Sequence, residues 1–143
     1  MNPLNYVNIK DVDSVPSFHD AELIGIEHRP DARELVLRFR RVAGEIESLR
    51  FTEVNVLRIV DFAEQNVASR LLISPKYRFS SDDVRTWVQW VNSRDDAKAS
   101  SIDDERANQY VCDFAAARKA LFILEPSCGA EIAVLCESVW LMV

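Results

Sequence analysis

Glycine is scarce in this sequence: three residues in 143, at positions 25, 44 and 129. A loop that cradles phosphate needs several closely spaced glycines so that backbone N–H groups converge on the anion, and this spacing excludes one. Histidine is scarcer still, with only His19 and His28. They are nine positions apart and fall on different predicted elements, which removes the paired helical histidines of a metalloprotease. A G-x-S-x-G nucleophile elbow is also missing. The three cysteines, Cys112, Cys128 and Cys136, are odd in number and lack C-x-x-C spacing, so neither a disulfide framework nor a zinc knuckle is signalled. They read as small apolar core residues, and Cys128, beside Gly129 in a turn, is the one placed to be an exposed, reactive thiol. No run of about 18 apolar residues occurs, so no membrane span is expected. Met1 to Tyr6 carries no positive charge and no apolar run of secretory length, and a cytoplasmic location is expected.

What is present is the composition of one folded domain, 1–143, with 48% hydrophobic and 28% charged residues. A chain of this size buries roughly two thirds of the surface exposed when unfolded, so it needs neither a metal nor a disulfide framework for stability, and no cofactor is expected. Seventeen basic residues stand against 23 acidic ones, for a formal charge of −6 and a pI near 4.9. That balance repels phosphate backbones, which argues against a nucleic-acid partner and suits a basic protein.

Hydrophobic alternation predicts a hairpin. Ile24, Ile26 and His28 fall on one face of the first strand, and Leu35, Leu37 and Phe39 on one face of the second. Arg29-Pro30-Asp31-Ala32-Arg33 supplies the turn. Leu49 and Phe51 mark a third strand after a reversal at Val42 to Glu45. From Val54 to Gln65 the pattern fits helix and strand equally, because Val56, Ile59, Val60 and Ala63 suit a helical face while β-branching suits a strand. Val67 to Ser74 reads as a strand closed by Pro75. Ser80 and Asp83 have the spacing of a capping box, and Val84, Trp87, Val88 and Val91 form one helical stripe that Trp90 does not share. A second helix is expected from Asp103 to Lys119. The C-terminal part reads as a hairpin, Leu121 to Leu124 and Ile132 to Cys136, turning at Pro126 to Gly129, with Ser138 to Val143 continuing the last strand. The near-continuous apolar residues there call for a position covered on both faces. The fold class is α+β: a mainly antiparallel sheet of five to seven strands with one or two helices.

Three groups of residues bear on function. His19, Asp20 and Glu22 place a tunable acid or base beside carboxylates, the minimum for a small enzyme or a metal-dependent activity. The plainer reading of the segment is a chain stop before the hairpin, because neighbours on an extended chain point apart. Arg38, Arg40 and Arg50 alternate outward on adjacent strands and together have the donors to grip a carboxylate or phosphate. The plainer reading, favoured by the overall acidic charge, is a solvated sheet face with Glu34 and Glu53 as their partners. The third group is acidic: Asp82, Asp83, Asp95, Asp96, Asp103, Asp104 and Glu105 surround Trp90, with only Arg85, Arg94 and Lys98 between them. An aromatic anchor ringed by carboxylates suits the docking of a basic protein. An ordinary solvated loop between two helix starts, with Trp90 packed into the core, explains the same residues.

Phe18-His19-Asp20-Ala21-Glu22-Leu23-Ile24, the Leu35 to Phe39 strand, Asp61 to Val67 and Glu125 to Glu131 together resemble small bacterial α+β proteins. Some of those look like immunity proteins of contact-dependent toxin and immunity systems. The resemblance implies a cytosolic inhibitor that binds a toxin domain and blocks its active site. Many such toxins are basic nucleases, consistent with the acidic balance. The expected function is therefore a protein-binding module with Trp90, Asp95, Asp96, Asp103, Asp104 and Glu105 at its interface. A small enzyme at His19 and Asp20 is one alternative. A homo-oligomer that pairs strand edges or the apolar segment Val139 to Val143 is another.

Overall fold

The computed structural model describes residues 5–142. Among these the chain forms nine strands and two α-helices, all strands joined in one antiparallel sheet. The strands are β1 (Tyr6–Asn8), β2 (Glu22–Arg29), β3 (Glu34–Arg40), β4 (Ile46–Thr52), β5 (Val56–Val60), β6 (Val67–Ile73), β7 (Ala120–Cys128), β8 (Glu131–Cys136) and β9 (Ser138–Met142). Between β6 and β7 lie α1 (Ser81–Asn92) and α2 (Asp104–Ala115). The order across the sheet is β1-β9-β4-β3-β2-β6-β7-β8-β5.

The sheet folds back on itself because the inward residues of both halves fill one core. β3 contributes Leu35, Leu37 and Phe39, β4 Leu49 and Phe51, and β9 Val139 and Leu141. From the other half come Phe122 and Leu124 of β7 with Ile132, Val134 and Cys136 of β8. Phe51 meets Phe122 edge-on with ring centroids 4.8 Å apart, which fixes the contact between the halves. They join along a narrow seam where Glu22 lies opposite Val67 and the Leu23 N–H donates to the Asn66 carbonyl. The outer face of β7 and β8, carrying Leu121, Ile123, Ala133 and Leu135, packs against Val84, Val88 and Val91 of α1 and Ala107, Tyr110 and Phe114 of α2. Both faces of these two strands are thus covered, as their unbroken apolar character requires. Each valine, leucine, isoleucine or phenylalanine side chain so buried contributes roughly 1.5–3 kcal/mol.

Local chemistry sets the helix limits. The Asp83 N–H donates to Ser80 Oγ at 3.1 Å and the Ser80 N–H donates to the Asp83 carboxylate at 3.0 Å, so the capping box predicted from spacing forms. Asp103 caps α2 by accepting from the Arg106 N–H at 2.8 Å. That helix stops at Ala115, before the expected Lys119. Ala117 adopts a left-handed φ of 58°, and the Arg118 and Lys119 N–H groups turn back to the Asp113 carbonyl.

Several expectations are corrected. The sheet has nine strands where five to seven were expected. The ambiguous 54–65 segment holds strand β5, and β1 pairs with β9 at the far edge. A bulge between Leu23 and Gly25 shifts the phase of β2, so Leu23 and Ile26 face the core while Ile24 turns outward. His28, placed by alternation on the same face as Ile24 and Ile26, is exposed at the strand end. The C-terminal segment is unavailable for pairing between copies, because β9 is hydrogen-bonded to β1 on one side and β4 on the other; Val143 lies outside the described residues. No helix among the described residues is long and apolar enough to cross a membrane.

Candidate interaction site

A cleft of about 510 Å³ lies between α1 and the edge strand β5, lined by Arg58, Trp87, Trp90, Arg94, Lys98 and Glu131 among others. Its organiser is Arg58. The alternation of β5 sends Leu57 and Ile59 into the core and turns Val56 and Arg58 toward the helices. The guanidinium is mostly covered and donates to the Trp90 carbonyl at 3.1 Å and to Asp95 Oδ1 at 2.8 Å. It also sits 4.5 Å from the centre of the Trp90 ring. The last turn of α1 contains no basic residue, so this arginine from a neighbouring strand supplies the positive charge that the helix C-terminus favours. Trp87 meets Trp90 edge-on, with ring centroids 5.8 Å apart.

Trp90 stands off the helical stripe because it packs over Arg58 at the edge of the helix layer, half-buried and beside the cleft. Neither an outward-pointing anchor nor a core tryptophan describes it fully. After Ser93 the loop runs back along α1, held by Gln89 Nε2 donating to the Ala99 carbonyl at 2.8 Å. This return path separates the predicted acidic residues into two groups. Asp95 and Asp96 lie at the Trp90 end, where Asp95 bonds Arg58 and Asp96 stands 3.6 Å from Arg94. Asp103, Asp104 and Glu105 lie at the other end, where Asp103 caps α2 and Asp104 pairs with Arg85, which also holds Asp82. All five carboxylates remain exposed. Lys98, on the cleft wall, has no ion pair among the described residues.

Glu131 closes one side of the cleft on β8, next to the Arg58 strand. Burial raises its carboxyl above the usual range; the nearby Asp61 carboxylate pushes the same way, and Arg58 opposes both. Arg58 and Glu131 are the site residues that sequence reasoning missed.

The other candidates lie elsewhere. His19 Nδ1 and Asp20 Oδ2 are 3.2 Å apart, so the two side chains do meet, but both are exposed and neither lines this cleft. Glu22 pairs with Arg40 at 3.4 Å. No group of three or more His, Cys, Asp or Glu residues suited to a metal occurs among the described residues. On the outer sheet face Arg50 is held by Glu34 at 2.9 Å, whereas Glu53 pairs with Arg33 instead of this face. Arg38 has no ion pair among the described residues and lies along Gly25. Of the cysteines, only Cys136 is a core residue, its thiol pushed up to about 12 by burial; Cys112 and Cys128 are exposed. Comparison with protein-family models, with curated proteins and with solved structures finds no match for this chain.

Proposed function

We propose that the chain is a protein-recognition module, and that it acts as an immunity-type inhibitor by covering the working surface of a basic toxin domain. The observation that carries this reading is the Trp87–Trp90 cleft, in which Arg58 holds a half-exposed indole against the helix end. Tryptophan and arginine in a partly desolvated pocket are the residues that dominate binding energy at interfaces. Charge distribution supports a basic partner. Residues 1–80 carry 12 acids and 11 bases, whereas residues 81–143 carry 11 acids and six bases, so the acidity belongs to the part that contains both helices. The acids stand around the cleft at the two ends of α1, while cations line its wall. A partner's basic groups therefore meet the rim, and the group that enters between the tryptophans is not basic.

Co-expression with the product of the adjoining gene tests the reading. The expected result is a copurifying complex that weakens as ionic strength rises and is lost when Trp90→Ala is combined with Asp95→Asn and Asp96→Asn. A complex indifferent to these changes places the interface elsewhere, and the absence of any complex removes the inhibitor reading.

A further inference from the structure

The sheet has two ends, and they are unequal. β1 is a three-residue strand, too short to template much pairing. β5 is Val-Leu-Arg-Ile-Val, half-buried throughout, with no proline and no bulge; its one charge, Arg58, is turned away to the Trp90 carbonyl and Asp95, and among the described residues its outer side pairs with no strand. Proteins usually blunt such an edge because its unpaired N–H and C=O groups accept another strand. Here the edge is left open beside the cleft, and Arg58 belongs to both. We propose that β5 receives an extended segment of the partner as an added strand, and that this segment places a carboxylate side chain in the cleft against Lys98 and Arg94. The inference rests on the recognition reading above and specifies how the partner is held.

The occupant is a different chain and not a second copy. Arg58 is the central residue of β5, so two-fold antiparallel pairing of β5 with itself sets the two arginines opposite each other, and like charges directly opposite are destabilising. The chemistry of the segment follows from what lines the route. Side chains alternate along a strand, so a residue opposite Arg58 on the helix side projects into the cleft. There Lys98 is unpaired among the described residues and Arg94 is only loosely held at 3.6 Å from Asp96. A carboxylate satisfies both cations. Trp87 and Trp90 form the apolar wall behind it. Main-chain bonds to β5 hold the segment, and the cleft selects its side chain.

A library of short random peptides displayed on phage, selected against the purified chain, provides the probe. Selected sequences are expected to be rich in β-formers with an Asp or Glu at a fixed position. A synthetic peptide of the consensus should slow amide hydrogen exchange at residues 56–60 by about tenfold or more, and Lys98→Glu should weaken it by about tenfold through charge reversal at an exposed position. A peptide that quenches tryptophan fluorescence but leaves the β5 amides unprotected overturns strand addition while the recognition reading stands. One that protects β5 yet binds Trp90→Ala unchanged overturns the role of the cleft in that reading while the edge remains. Failure to select any peptide, or protection of the same amides by self-association without peptide, overturns the inference.

Discussion

Replacing Arg58 by methionine keeps the aliphatic stem and removes three polar interactions, whose magnitudes set the expected cost. The bond to the Trp90 carbonyl is charge-assisted and largely covered, worth about 1.5–3 kcal/mol. The guanidinium over the indole adds about 0.5–1 kcal/mol. The pair with Asp95 adds a few tenths at most, because that carboxylate is 90% exposed and screened by water. Relief from burying a charge offsets part of the sum, leaving a destabilisation of about 2 kcal/mol. For a chain of this length that lowers the melting temperature by roughly 4–8 °C. Urea unfolding followed by far-ultraviolet circular dichroism is the assay, since tryptophan emission itself changes when the cation leaves. Asp95→Asn is the control and should cost under about 0.5 kcal/mol. If Arg58→Met were as stable as the wild type, or if Asp95→Asn cost as much, the account of Arg58 as organiser of the cleft would be refuted.

Glu131→Gln should stabilise the protein at neutral pH. The folded carboxyl sits above its ordinary value, so folding favours its protonated form, and wild-type stability falls as pH rises from the ordinary carboxylate range through the raised folded value. The variant's advantage in thermal melts should therefore vanish in acid; an advantage that persisted there would contradict a titration origin. Gly129→Ala should be severe, because φ is 77° and an added Cβ would lie 2.4 Å from the Gln65 carbonyl and 2.5 Å from Asn66 Oδ1. A loss in chemical denaturation well beyond the roughly 1 kcal/mol of the left-handed penalty is expected, and a near-neutral result would count against the Gly129 turn. A thiol reagent should modify Cys112 and Cys128 in the native protein and Cys136 only after unfolding, as read by mass spectrometry. Rapid labelling of Cys136 would place it outside the core.

The β2–β3 hairpin and α1 were legible because their signals are local: alternation on either side of a Pro-Asp turn, and a capping box followed by a stripe. The bulge in β2 was not, since one extra residue at Ile24 leaves composition unchanged while reversing which neighbours face inward. β1 was missed for a different reason. Tyr6-Val7-Asn8 pairs with Trp140 to Met142 at the other end of the chain, a contact no local pattern announces. Trp90 could be singled out as unexplained by its helix, but its explanation lies in Arg58, 32 positions earlier in the segment where helix and strand patterns tie. Reading that segment as a strand would have marked Arg58 as a charge on the side turned toward the helices, the one signal available for it.

The central claim is that the Trp87–Trp90 cleft is the surface through which this chain recognises another protein. Its most direct test is calorimetric titration of the copurified partner with the wild type and with Trp90→Ala, after circular dichroism has shown the variant to be folded. The account predicts a loss of about 2 kcal/mol or more in binding free energy, roughly 30-fold in Kd. Equal affinities for the two forms would contradict it.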